Sequence, residues 1–164
     1  MATLAVGLSG CSIKGMAMNA VANSLAAPST VMTRDNDPQL VRDAIPFGLK
    51  TYESILESTP NHQPLLIATC SGYTSYAYGF VLTPAELLQF TDRPASRAGI
   101  ERAKNMYLRA RDFCMRAMEL RYPGIGKQLL MDADKAVAKM NKKDVELLYW
   151  TAASWGSAMS LGKD

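Results

Sequence analysis

The chain has 164 residues, 48% of them hydrophobic and 20% charged, with a net charge of +3. That composition fits one globular domain and excludes a disordered chain. Three Cys and one His, with no Cys-x-x-Cys, leave little for a metal site, and no cofactor is expected. So small a net charge does not by itself point to nucleic acid.

The charge is unevenly placed. Residues 1–90 carry four basic and six acidic side chains, and residues 91–164 carry fourteen and nine. Much of the excess falls on one segment, with Arg97, Arg102, Lys104, Arg109, Arg111, Arg116 and Arg121. Glu101, Asp112 and Glu119 are interspersed. The pattern reads as a solvated helix face or as a dock for an acidic partner.

In chain order, Leu8-Ser9-Gly10-Cys11 fits a bacterial lipobox. An apolar residue followed by two small ones lets an extended segment enter a peptidase that cuts before the Cys. The thiol of Cys11 then carries lipid, and two or three acyl chains anchor a protein stably. Residues 1–10 are read as the remnant of a signal peptide, without a basic start, and 11–164 as the helical domain. Cys70 and Cys114 sit in apolar helical patterns and are expected to be buried, unpaired thiols.

A short helix is predicted over 12–27, ended by Pro28. Asp37 followed by Pro38 marks a helix start, and the apolar positions Leu40, Val41, Ala44, Leu49, Tyr52 and Leu56 carry that helix to about 57. Pro46 inside it is expected to kink it. Thr59-Pro60-Asn61 is a turn, with Asn61 as the expected cap of the next helix, 62–82. No Asp, Glu, Lys or Arg occurs from Ser58 through Ala85. Interleaved Ser and Thr, with three Tyr near the middle, argue against a membrane span and for a central helix surrounded by others. Ser71, Ser75 and Gly79 recur every four residues, a spacing that admits a neighbouring backbone.

Thr83-Pro84 is expected to restart a short helix to about 90. A long helix is predicted over 95–121, with the seam Ile100, Ala103, Tyr107, Ala110, Cys114 and Ala117. Tyr122-Pro123-Gly124 stops it. Short helices follow over 125–131 and from Asp132 to about 140. Asp144 is expected to cap the last, 145–161, which is apolar nearly all round. No segment alternates with period two, so the fold class is all-α. Ala110 and Ala117 sit seven apart, as in tetratricopeptide repeats, but the full consensus is absent. The expected architecture is an α-solenoid of stacked, tetratricopeptide-like helical hairpins.

Several segments together carry a family resemblance. They are Leu8-Ser9-Gly10-Cys11-Ser12, Asn19-Ala20-Val21-Ala22-Asn23, and the run from Asp35 through Asp37-Pro38-Gln39-Leu40-Val41-Arg42 to Leu49. Ser58-Thr59-Pro60-Asn61-His62, Cys70-Ser71-Gly72-Tyr73 and Leu147-Leu148-Tyr149-Trp150-Thr151-Ala152-Ala153-Ser154-Trp155-Gly156 complete them. From Cys11 to Asp164 the chain resembles the T component of tripartite ATP-independent periplasmic (TRAP) transporters. The resemblance implies a periplasmic lipoprotein that associates with the substrate-binding P component, forms trimers, and has a cavity able to pass small organic ligands. Members of the family run several helices longer, so the resemblance also implies that this chain is incomplete at its carboxyl end.

Two aromatic-rich helices, the uncharged 62–82 and 145–161 with Glu146 as its one charged residue, are the expected walls of that cavity. A dry core favours Leu, Ile and Val over Tyr and Trp, whose polar tips need partners. Tyr73, Tyr76, Trp150 and Trp155 are the expected lining, with Gly72 and Gly79 leaving room. Arg42 or Lys50 is the expected counter-ion for a carboxylate. The alternative is a helical scaffold that binds another protein and no small molecule. A hydrolase would have to use His62, and no Gly-x-Ser-x-Gly accompanies it, so no enzymatic activity is expected. Ser12 after the lipidated Cys11 points to the outer membrane.

Overall fold

The computed structural model describes residues 10–162, with the side chains of 10–12 left aside. Leu8 and Ser9 of the lipobox, and the Cys11 side chain expected to carry lipid, therefore fall outside what the structure describes. The elements run α1 (Gly10–Ala26), α2 (Pro38–Ser58), α3 (Gln63–Tyr76), a π-helical segment (Ala77–Leu82), α4 (Thr83–Leu87) and α5 (Arg93–Arg121). After them come α6 (Ile125–Met131), α7 (Ala133–Val137), a 3-10 turn (Lys142–Asp144) and α8 (Val145–Ser160). No strand occurs among the described residues.

Each start has a local cause. The Asp37 carboxylate accepts from the amides of Gln39 and Leu40, and Pro38 opens the first turn, where no amide hydrogen is needed. Asp92 caps α5 through the Ala95 amide, so that helix starts at Arg93, two residues before the expected 95. The cap of α3 is His62 rather than Asn61: its ring accepts from the Leu65 amide. Asp144 does not cap α8 with its side chain. It closes a reciprocal box with Asn141 around the 3-10 turn instead.

Thr83-Pro84 does not break the chain. Pro84 has no amide to donate, and just before it the ladder widens to π spacing, with the Thr83 amide returning to the Tyr78 carbonyl. Residues 63–87 therefore form one continuous rod.

Packing centres on α5, which lies along α3 and α8 and meets α4 and the π segment; α1 and α2 pack on α3. The expected seam of α5 is buried apart from the half-buried Ile100: Ala103, Ala110, Cys114 and Ala117 have no exposed surface and Tyr107 has 1%. Leu65 and Leu66 of α3 are also fully buried, each contributing about 2 kcal/mol of transfer free energy. The described helices pack against one another with no strand between them, consistent with the all-α stack of helical hairpins expected from the sequence.

Two packing expectations change. A Cβ at Gly79 would meet nothing within 4 Å, so no backbone approaches there. The close approaches lie elsewhere: a Cβ on Gly99 would sit 2.5 Å from the Ala85 Cβ, letting α4 press onto α5, and one on Gly72 would sit 2.7 Å from Leu49 Cδ2. Nor are the two aromatic-rich segments wrapped on all sides. Tyr78 is 65% exposed, and Val145, Tyr149 and Met159 form an outward apolar stripe on α8.

Cys70 and Cys114 are not free thiols. They form a disulfide between α3 and α5, with Cα atoms 5.5 Å apart and both residues fully buried. The pairing depends on two helices facing each other at those positions, which the apolar residues flanking each Cys do not reveal.

Candidate functional site

α2, α3 and α5 converge on Glu53. Its Oε1 accepts from the Tyr73 hydroxyl at 2.5 Å, and Lys50 one turn earlier pairs with Oε2. Arg109 of α5 lies 3.7 Å from the same carboxylate, an ion pair longer than a hydrogen bond. The Arg109 guanidinium sits over the Tyr73 ring at 5.6 Å. Tyr73 stacks nearly parallel to Phe113 with centroids 6.2 Å apart, and Arg116 lies over Phe113 at 5.7 Å. The Arg116 guanidinium also donates to the Pro60 carbonyl at 3.0 Å. Two cations are thus held against two adjoining rings. An open groove of about 360 Å³ runs beside them, lined by Asn105, Leu108, Arg109, Asp112, Phe113 and Arg116.

Burial and the Glu53 carboxylate push the Tyr73 hydroxyl up to about 12. Burial pulls Glu53 upward, but Lys50, Tyr73 and Arg109 outweigh it and hold the carboxyl below its ordinary 4.5. The Tyr73 hydroxyl and Glu53 favour the charged Arg109 against its own partial burial. At neutral pH the cluster is Lys⁺, Glu⁻ and Arg⁺ with a neutral tyrosine. Because the folded Glu53 titrates lower than the unfolded one, its contribution is present above the ordinary value and is lost as pH falls through the lower folded value. Tyr73→Phe should lower the unfolding free energy at pH 7 by about 1 kcal/mol and shrink that acid-side loss. Urea unfolding of both proteins at several pH values checks this.

The four expected lining residues fall into different neighbourhoods. Tyr73 turns toward α2 and α5, and Tyr76 meets Phe80 at 5.6 Å within its own rod. Trp150 meets Tyr149 edge to face, and Trp155 lies under Arg111 of α5 at 5.9 Å. α3 and α8 touch directly where Cys70 Sγ is 3.9 Å from the Trp150 carbonyl oxygen. Lys50 joins the Glu53 cluster, whereas Arg42 is exposed on α2. The room expected at Gly72 is taken by Leu49. Sequence reading missed Glu53, Arg109, Phe113 and Arg116 as one group. The signal available was the seven-residue recurrence of Arg-Ala at 102–103, 109–110 and 116–117.

His62 is fully engaged. Its Nδ1 accepts from the Leu65 amide at 3.1 Å, so Nε2 carries the hydrogen and donates to Asn23 Oδ1 at 2.9 Å. The ring joins α1 to the start of α3. A polar groove of about 520 Å³ lies beside it, lined by Asn19 and residues 58–64.

At the other end of α5, Asp144 is a second junction. Its Oδ2 accepts from the Tyr122 hydroxyl at 2.7 Å and the Asn141 amide at 2.8 Å. The Arg121 Nε lies 2.7 Å from Oδ1, a close charge contact whose N–H is not aimed along a hydrogen bond.

A model of the TRAP transporter T-component matches residues 34–164. The chain belongs to that family. An uncharacterized protein of Treponema pallidum (strain Nichols) is 29% identical over 170 residues, covering 93% of this chain and 53% of the relative. The T-component chain thus spans about half the length of that relative. No helix among its described residues is long and apolar enough to cross a membrane.

Proposed function

We propose that this chain belongs to a periplasmic accessory lipoprotein of a TRAP transporter, anchored through Cys11 in the outer membrane and bound to the substrate-binding P component. The observation that carries the reading is the family match over residues 34–164. The buried Cys70–Cys114 bond supports an oxidising compartment outside the cytoplasm. Assembly as trimers and passage of a small organic ligand complete the proposal. Tyr73, Tyr76, Trp150 and Trp155 are its proposed lining, with Arg42 or Lys50 as counter-ion.

A second reading is favoured by one observation. The aromatics are dispersed over separate neighbourhoods, which suits a scaffold that binds the P component and no small molecule. Native mass spectrometry of the whole protein separates the two: a retained ligand, reduced by Tyr76→Phe without loss of melting temperature, supports passage.

The test of partner binding uses the whole lipoprotein in cells. Wild type should fractionate with membranes and capture the P component, while Cys11→Ala should be released and still capture it. Membrane retention of Cys11→Ala would sink the anchor. Absence of capture would sink the transporter role.

A further inference from the structure

The cationic ridge of α5 has a shape that the family match does not assign. Arg102, Arg109 and Arg116 are exposed, each one position before a fully buried alanine, Ala103, Ala110 and Ala117. Seven-residue spacing keeps them in one nearly straight line. The line is about 21 Å long at 1.5 Å per residue.

The acids on α5 are engaged elsewhere. Asp112 is held by its neighbour Arg111 at 2.7 Å, and Glu101 pairs with Lys104 at 3.6 Å. Glu119 accepts from the backbone amides of Gly124 and Gly126 at 2.7 and 2.8 Å. Arg116 rests on a carbonyl and a ring, both neutral. Arg109 shares Glu53 with Lys50, leaving a surplus positive charge there. The helix carries eight basic and three acidic side chains, a net of +5 in a chain of +3. Stacking on Tyr73 and Phe113 fixes two of the guanidinium groups in advance, which reduces the ordering cost of a contact. The adjoining groove supplies Leu108 and the half-buried Phe113 as an apolar floor between the charges.

We infer that the Arg102–Arg109–Arg116 ridge is the surface on which a carboxylate-bearing face of the P component docks. This rests on the proposal that the chain binds the P component. Complementary charge chiefly accelerates encounter and sets orientation.

The experiment follows association of the whole protein with its P component by stopped flow. It compares ionic strengths of about 0.01 M and 0.15 M, where the screening length falls from about 30 Å to about 8 Å. The wild-type association rate should fall about tenfold. Arg102→Glu with Arg116→Glu should slow association about tenfold at low salt while keeping the helical fold, with a melting temperature lowered only by the loss of the Arg116 contacts to Pro60 and Phe113. If that variant misfolds, Arg102→Gln with Arg116→Gln should act in the same direction with a smaller effect. Salt-independent association unaffected by either variant overturns the ridge as the dock and leaves P-component binding standing. Absence of any wild-type association overturns both. Ridge-dependent binding to phosphatidylglycerol vesicles, with unchanged P-component association, makes the ridge a lipid contact and overturns the inference.

Discussion

Replacing Cys70 and Cys114 together by Ala should lower the unfolding free energy by about 4 kcal/mol. The bond closes a 44-residue separation, and the chain entropy released in the unfolded state on cutting a loop of that length sets the figure. It ties α3 to α5, the pair around which the remaining helices pack. Urea unfolding should place wild type well above the double variant without reductant, and dithiothreitol should bring wild type down toward it. The variant should not respond to reductant. Two titratable thiols per chain at these positions in the unfolded, unreduced protein would contradict the bond.

Asp144→Ala should be the most damaging single polar substitution. It strands the Tyr122 hydroxyl, the Asn141 amide and the Arg121 guanidinium around a carboxylate that is 1% exposed. Breaking a buried pair from one side costs about 3 kcal/mol or more, and a figure of about 2 to 3 kcal/mol applies here because Arg121 keeps 32% of its surface in water. Asp144→Asn, which retains an accepting oxygen and loses the charge, should cost less. Burial pulls the Asp144 carboxyl upward, but the Asn141 amide, the Tyr122 hydroxyl and Arg121 outweigh it and hold it below its ordinary 3.8. Its contribution is therefore complete above that value and disappears as pH falls through the lower folded one. Denaturation followed from neutral to acid pH should show wild type and Asp144→Ala converging at the acid end.

The parts of the fold legible in the sequence were those written locally. Asp37-Pro38, the stop at Tyr122-Pro123-Gly124 and the apolar spacing of residues 100–117 each act within a few residues, and the helices fall where they indicate. Thr83-Pro84 was legible as a change but not as a continuation, because the π ladder that absorbs it depends on bonds reaching back to Tyr78. The disulfide and the Glu53 cluster were not legible. Both depend on which faces of α2, α3 and α5 meet, and Glu53 and Arg109 lie more than fifty residues apart. The exposed Tyr78 was read as interior because the pattern of residues 62–82 offers no charged face to mark the outside. The Arg-Ala recurrence at seven-residue spacing carried the ridge in plain view, but its meaning depends on where Asp112, Glu101 and Glu119 find their partners.

A transport role is tested most directly by uptake in cells. Radiolabelled substrate of the proposed partner P component should enter wild-type cells, enter much more slowly once the gene for this protein is deleted, and recover when the gene is restored. Uptake that is the same in deleted and wild-type cells, with the P component present at equal levels, would contradict a role in TRAP transport.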